Sequence, residues 1–387
     1  IQLIDQHWGK HEPNPSVPEF AYEEEAPITE PIIHEIYGPD KEFVRIGFRS
    51  LGNQTKDAKY LALIDMILSN SQAGLIDLNL IKNQKVQSAS SSYNAMNDYG
   101  IFTLVGFPRN DQTLDEVKDL LLAEIENVKQ GNFDDWLIQA VVNDLKLNEL
   151  RRNDANWGVF TFLNAFIANV PWETQVREID ELEKITKDEL VAFANEFFKD
   201  NYALVYKKTG ENKDKMMVEK PPITPFDVNR DSESEYLRNF KTLEPEDIKP
   251  EFVNFDEKLK REKLADGIEY FYAQNPSNDL AYIYYSVDMG SEHLKKLPLA
   301  FNYLNYIGTD KYSLEDLSKE FYKFGISYNA SSSSDRSYVF ITGLDENLDK
   351  GLELIEHLLA NAKADQDAYN KVVEKILKDR TDAKLNK

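Results

Sequence analysis

The sequence predicts an α+β protein of two homologous domains, each a mainly antiparallel sheet covered by helices. Three observations predict it. First, one pattern occurs twice. SASSSYNAMNDYGIFTLVGF from Ser88 leads into LDEVKDLLLAEIENVK from Leu114, and YNASSSSDRSYVFITGL from Tyr328 leads into LDKGLELIEHLLANAK from Leu348. Each copy reads as a small-residue strand, a turn, an apolar strand ending near a glycine (Gly106, Gly343) and an amphipathic helix. A repeat this long is a repeated domain, not a short solenoid unit. Second, both halves read strand-strand, helices, strand-strand, helices, which suits helices packed on one face of an antiparallel sheet. Third, 387 residues suit two domains or slightly more, and 21 Phe with 20 Tyr provide core material.

In chain order, residues 1 to about 20 finish a helix (IQLIDQHWG) and run extended through Pro13, Pro15 and Pro18. IIHEIYG and FVRIGFRSL alternate as strands after Pro31. A helix follows from about Lys56, with Tyr60, Ile64, Ile67 and Leu68 on one face. Thr113 with Glu116 and Thr186 with Glu189 have capping-box spacing. Between them, helices are expected over about 134–152 and 157–170, the latter stopped by Pro171. YALVYKK from Tyr202 closes the first domain as a strand. Residues 211–250 carry Pro221, Pro222, Pro225, Pro245, Pro250 and the acidic run DSESE, and read as an extended, solvated linker. The second domain opens with strands IEYFYAQ from Ile268 and LAYIYYSVDMG from Leu280. A helix lies between Lys296 and Gly308, another is capped by Ser313, and a last one runs from about Gln366. The expected division is 1–19, the tail of an upstream domain; 20–210, a first domain; 211–250, a linker; and 251–387, a second domain cut short.

Asp and Glu outnumber Lys and Arg 68 to 45, a net charge of -23. That argues against nucleic acid or anionic membrane as a partner. It would suit cationic substrates, although acidic faces often serve only solvation. There is no cysteine, which excludes disulfides, thiolate metal sites and a Cys nucleophile. No apolar run is long enough to span a membrane. The chain starts at Ile1 without a Met and stops in a charged helical run, so it reads as a piece of a larger protein.

Five histidines are available for chemistry. His7 and His11 have the i, i+4 spacing of helical metal ligands, but Gly9 lies between them and Pro13 follows. His34 in a strand and His293 in a charged turn read as surface residues. His357 closes Glu353-Leu-Ile-Glu356-His357, one residue away from the inverted zinc motif His-x-x-Glu-His. The same helix in the first copy, Leu114 to Lys129, carries no such group, so we read the match as a coincidence on a packing helix. No phosphate loop, dinucleotide fingerprint or catalytic triad is visible.

The chain nonetheless resembles the pitrilysin/insulinase zinc peptidases, with the mitochondrial processing peptidases as relatives. The resemblance rests on WGKHEPNPSVPEFAYEEE, on the two strand pairs, on the linker and on MGSEHLKKLPLAFNYLNYIGT. It implies paired α+β domains that enclose a chamber. In catalytic domains of that family a strand ending Gly-Ser leads to the His-x-x-Glu-His helix, followed by Gly-Thr. Here Gly290-Ser291 and Gly308-Thr309 bracket the helix, and the three motif positions fall on Leu299, Asn302 and Tyr303. Glu374 matches the distal ligand position, and one carboxylate cannot hold zinc alone. The resemblance thus implies a degenerate second domain and no metal in this chain. The zinc would belong to a parent enzyme whose catalytic domain precedes Ile1 or lies on a partner subunit. Glu353, Glu356 and His357 remain as an unusual metal-site alternative. The implied partners are peptide or unfolded protein, and the resemblance leans towards the bacterial cell envelope or periplasm. An inactive homologue acting as a binding or assembly subunit is the competing reading.

Overall fold

The computed structural model describes residues 2–12, 14–16, 23–155, 157–212, 219–225, 228–245 and 247–385. The expected extended run through Pro13 and Pro18 therefore falls partly outside the described residues. The chain starts with α1 (Gln2–Trp8), β1 (Ile32–Gly38), β2 (Phe43–Leu51) and α2 (Lys56–Leu68). A single wide helical turn, Asp77–Lys82, precedes β3 (Ser88–Ala95), β4 (Tyr99–Phe107), α3 (Leu114–Lys129) and α4 (Trp136–Asp154). Next come α5 (Gly158–Ile167), α6 (Trp172–Val176), α7 (Glu178–Leu182), α8 (Lys187–Phe197) and β5 (Tyr202–Thr209).

These strands form one sheet in the order β1-β5-β2-β4-β3. Every pairing is antiparallel except β1 with β5, which is parallel. Alternation puts Val44, Ile46 and Phe48 of β2, with Phe102 and Leu104 of β4, on the helix-covered face, where all are buried. Phe48 is 1% exposed. Its ring meets Phe198 edge-on at 5.0 Å and Tyr202 at 5.4 Å. Both expected capping boxes form, Thr113 with Glu116 on α3 and Thr186 with Glu189 on α8.

The second half contains α9 (Glu235–Lys241), α10 (Phe255–Lys258), β6 (Lys260–Lys263), β7 (Glu269–Tyr272) and β8 (Leu280–Val287). It continues with α11 (Leu297–Leu304), α12 (Leu314–Lys323), β9 (Ser327–Ser332), β10 (Ser337–Leu344), α13 (Leu348–Asn361) and α14 (Gln366–Ala383). Its sheet has the order β8-β10-β9, all antiparallel. A second core of Leu317, Phe321, Ile326, Ile341, Leu354, Ile355 and Leu358 lies beneath it.

The register makes the repeat concrete. Gly106 of β4 lies opposite Val44 of β2, and Gly343 of β10 lies opposite Ala281 of β8. The residue after the first strand of each pair is also the same. Gly52 and Gly290 each press their Cα against the turn of the following hairpin, where an added Cβ would stand 1.9 Å from Asn97 O and 2.4 Å from Ser334 O. Only glycine permits that approach.

Two expectations need correction. The strand IEYFYAQ does not join the main sheet of the second half; its residues 269–272 pair with β6 in a separate hairpin. The linker is solvent-exposed as expected, but it is not extended throughout. Ser234, inside the acidic run, accepts the Leu237 N–H and caps α9.

Candidate functional site

The helix α11 occupies the place that the resemblance gives to the metal motif. Leu299 and Tyr303 on it are half-buried and Asn302 is exposed. The Tyr303 hydroxyl donates to Asp365 O at 2.6 Å and accepts the Asp365 N–H at 2.6 Å. Its ring packs edge-on against Tyr369 at 5.7 Å. The Asp365 side chain in turn accepts the Ala368 N–H and caps α14. Tyr303 therefore fastens α11 to the start of α14. Glu374 on α14 is committed to an ion pair with Arg109 of the first half, 2.9 Å away. A leucine, an amide and a phenol already hydrogen-bonded to backbone do not fit a zinc ion, which needs imidazole or carboxylate donors in tetrahedral array.

The second candidate, on α13, does not converge either. His357 Nε2 lies 3.0 Å from Thr309 Oγ1, and its Nδ1 faces Asn361 at 3.2 Å. Glu356 accepts the Tyr285 hydroxyl at 3.0 Å, and the Tyr285 phenol is pushed up to about 12 by burial and by that carboxylate. Glu353 pairs with Lys350 at 2.8 Å, which holds its carboxyl below the usual range. Each of the three side chains has a different partner. Among the described residues no three His, Asp or Glu side chains gather to hold a metal ion.

The other histidines sit apart. His7 lies in the last turn of α1, which ends before Gly9, and the His11 ring rests beside Trp8 at 5.6 Å. His34 is exposed on β1. His293 is exposed as well, and its Nδ1 accepts the Gly290 N–H at 3.2 Å, closing the turn after β8.

Two concavities remain. A cleft of about 370 Å³ lies where the halves meet, lined by Lys82, Thr309, Tyr312, Asp365 and Lys371 among others. A larger groove of about 1170 Å³ lies on the first half. Glu23, Glu24, Glu25, Asp57, Asp98 and Glu196 line it, against Arg49 and Lys56, and Tyr99, Phe193 and Phe197 add ring surface. The Arg49 guanidinium is occupied with the carbonyls of Glu25 and Ala26, which leaves an acidic trough with aromatic walls. The run of three glutamates was the only sequence signal for it.

What sequence reading missed is the seam between the halves. Tyr322 of α12 is 4% exposed and belongs to the core of the first half. Gln87 donates to Asp379 at 2.6 Å and Asp382 at 3.0 Å, Gln72 donates to Ile326 O at 2.8 Å, and Lys319 pairs with Asp134 at 2.9 Å. Buried carboxyls lie in the same half. Burial pushes Asp65, Asp77 and Asp144 up, against the hydrogen bonds that Asp65 accepts from Ser91 and Tyr93 and Asp77 from Asn70 and Gly74. A carboxyl raised in the folded state binds its proton more tightly there than in the unfolded chain. Its contribution to stability is present at acid pH and is lost as pH rises through the raised value. The lowered carboxyls of Glu116 and Glu189 act in the opposite sense but lie in solvent, where the effect is small. Self-repulsion at a net charge of -23 adds to the first trend. The thermal midpoint should therefore be higher at about pH 5.5 than at about pH 8. A flat or opposite profile between those values contradicts this account of the three aspartates.

The family pattern of the peptidase M16 inactive domain matches residues 2–145, and that of the region associated with subfamily C of the same peptidases matches residues 229–386. No curated protein matches the chain in sequence. Among solved structures, a protease from Helicobacter pylori is similar at 15% identity with a TM-score of 0.50, over 54% of this chain and 51% of that one. The periplasmic protease PqqL from Escherichia coli is similar at 13% identity with a TM-score of 0.42, over 95% of this chain and 44% of that one. Pitrilysin is similar at 13% identity with a TM-score of 0.48, over 88% of this chain and 38% of that one. The chain spans about half the length of these proteins or less. At such identities the likeness is one of fold. With the two family patterns laid end to end over most of its length, the chain belongs to the M16 peptidase family, by an inactive domain followed by the subfamily C associated region.

Proposed function

We propose that this chain is the non-catalytic central portion of a zinc metalloendopeptidase. It forms chamber wall and peptide-binding surface for hydrolysis carried out by an upstream domain bearing His-x-x-Glu-His. The observation that carries the reading is the Tyr303 clasp. The position of a metal ligand is filled by a side chain whose hydroxyl holds both backbone groups of Asp365. The first half braces the catalytic domain, and the acidic trough receives extended, basic stretches of peptide or unfolded protein. A location in the bacterial cell envelope belongs to the same proposal. Among the described residues no helix is long and apolar enough to cross a membrane.

The purified chain is expected to carry no stoichiometric zinc by elemental analysis and to leave quenched fluorescent peptides intact, with or without added zinc. Chelator-sensitive cleavage that survives His357→Ala would overturn the non-catalytic assignment. The peptidase setting is tested separately, by reading the coding frame ahead of Ile1 and any co-purifying subunit for an intact His-x-x-Glu-His helix. Absence from both would favour the alternative, an inactive homologue that serves as a binding or assembly subunit.

A further inference from the structure

One strand position in the second half is empty, and two neighbouring strands are shaped by that. In the first half, β2 has neighbours on both edges, β4 and β5. Its counterpart β8 pairs with β10 alone. The Asp345 N–H donates to Asp279 O, so the odd-numbered residues of β8 face β10. Tyr282, Tyr284 and Ser286 therefore turn their N–H and C=O groups outward, and no partner meets them among the described residues. The opposite edge of the sheet is different, because α11 packs beside β9.

The second orphan is β7. Its counterpart β1 precedes β2 in sequence yet never touches it; β1 joins the sheet only through β5, to which it is parallel. With no strand in the β5 position, β7 has nothing to join and pairs with β6, leaving Tyr270, Phe271 and Tyr272 exposed. The side-chain layer reports the same vacancy. Tyr285, which holds the register position of Phe48, is 36% exposed where Phe48 is 1% exposed. Phe48 owes its cover to Phe198 and to Tyr202 of β5.

We infer that the outer edge of β8 is an acceptor for one strand from a partner polypeptide. The strand runs antiparallel to β8, has the chemistry of β5 and leaves its far edge to β7. In the first half β5 sets Tyr206, Leu204 and Tyr202 opposite Val44, Ile46 and Phe48. The incoming strand accordingly presents apolar residues opposite Ala281, Ile283 and Tyr285. Backbone hydrogen bonds supply the affinity and the alternate apolar side chains supply the register. This inference rests on the repeat and on strand register, and it stands whether or not the chamber reading holds.

The probe is a synthetic octapeptide with the sequence of β5, YALVYKKT, added to the whole chain. The readout is amide hydrogen exchange over residues 280–287. Exchange there should slow about tenfold once the probe is at roughly ten times its dissociation constant. A scrambled octapeptide should leave it unchanged. Tyr284→Pro removes an outward N–H without touching the β10 ladder, as edge positions tolerate, and should abolish the slowing. Tyr282→Pro is the second such variant should the first fail to fold. The octapeptide tethered after residue 387 by a flexible Gly-Ser linker, at millimolar effective concentration, repeats the measurement for a weak binder. No slowing in the tethered form, or equal slowing with the scrambled sequence or in the proline variants, overturns the inference. Protection that needs no probe and grows with protein concentration also overturns it, because a second copy of the chain would then be the occupant.

Discussion

Replacing Tyr322 by alanine should cost the protein about 3–5 kcal/mol, the range for emptying a buried aromatic site. The ring comes from α12 of the second half but is packed in the core of the first. The cavity it leaves therefore opens at the seam. Its hydroxyl has no hydrogen-bond partner among the described residues. Burial, with the nearby carboxyls of Asp144 and Asp77, pushes the phenol well above its ordinary value, so it stays neutral at any working pH. Tyr322→Phe should consequently be within about 1 kcal/mol of the parent protein, because the lost hydroxyl leaves no partner stranded. Chemical denaturation of the two variants checks both halves of the statement. The alanine variant should also split one unfolding transition into two, since the remaining seam contacts are polar or half-exposed ion pairs of small individual worth. A single transition with an unchanged midpoint would show that the seam is not held by this ring.

Gly52→Ala is the second large effect. The new Cβ would stand 1.9 Å from the carbonyl oxygen of Asn97 and 2.7 Å from its carbon, both backbone atoms. No rotamer relieves a clash with backbone, so β2 and the turn between β3 and β4 must separate. A loss of about 3 kcal/mol is expected, at the upper end for overpacking. Gly290→Ala should behave alike in the second half, against Ser334. Gly47→Ala is the control. There the nearest atom is the Cδ1 tip of Ile101 at 3.3 Å, which can swing away, so the change should stay below about 1 kcal/mol. Thermal melts of the three variants rank the effects. Equal melts for Gly47→Ala and Gly52→Ala would contradict the close-approach argument.

The parts legible in the sequence were the local ones. The caps of α3, α8 and α12 were readable because cap and acid lie three residues apart. The paired strands and following helices were readable because alternation and helical period are short-range signals. The mainly antiparallel sheet and the identity of the repeat followed from their order. The sequence did not reveal what happens to IEYFYAQ. Its alternation is that of a strand, but the pairing of a strand depends on a neighbour far away in the chain. Nor did it reveal that Tyr303 would clasp Asp365, 62 residues on, or that Glu374 would meet Arg109, 265 residues back. The motif positions could be read as lacking ligands, but the work those residues now do is tertiary. The acidic trough lies between: three consecutive glutamates are visible, but their meeting with Asp57, Asp98 and Glu196 depends on the fold.

The Arg109–Glu374 pair bears on whether a metalloenzyme could be rebuilt from this chain. Restoring His, Glu and His at positions 299, 302 and 303 would not be a three-letter repair. The new imidazole at position 303 would release both backbone groups of Asp365, and a zinc ion would draw Glu374 away from the Arg109 guanidinium. A revertant would loosen the attachment of α11 to α14 and one of the struts between the halves before it gained any activity. The vestigial site has become part of the joinery, which makes its loss behave as a ratchet: each former ligand position is retained for a mechanical reason that catalysis would undo.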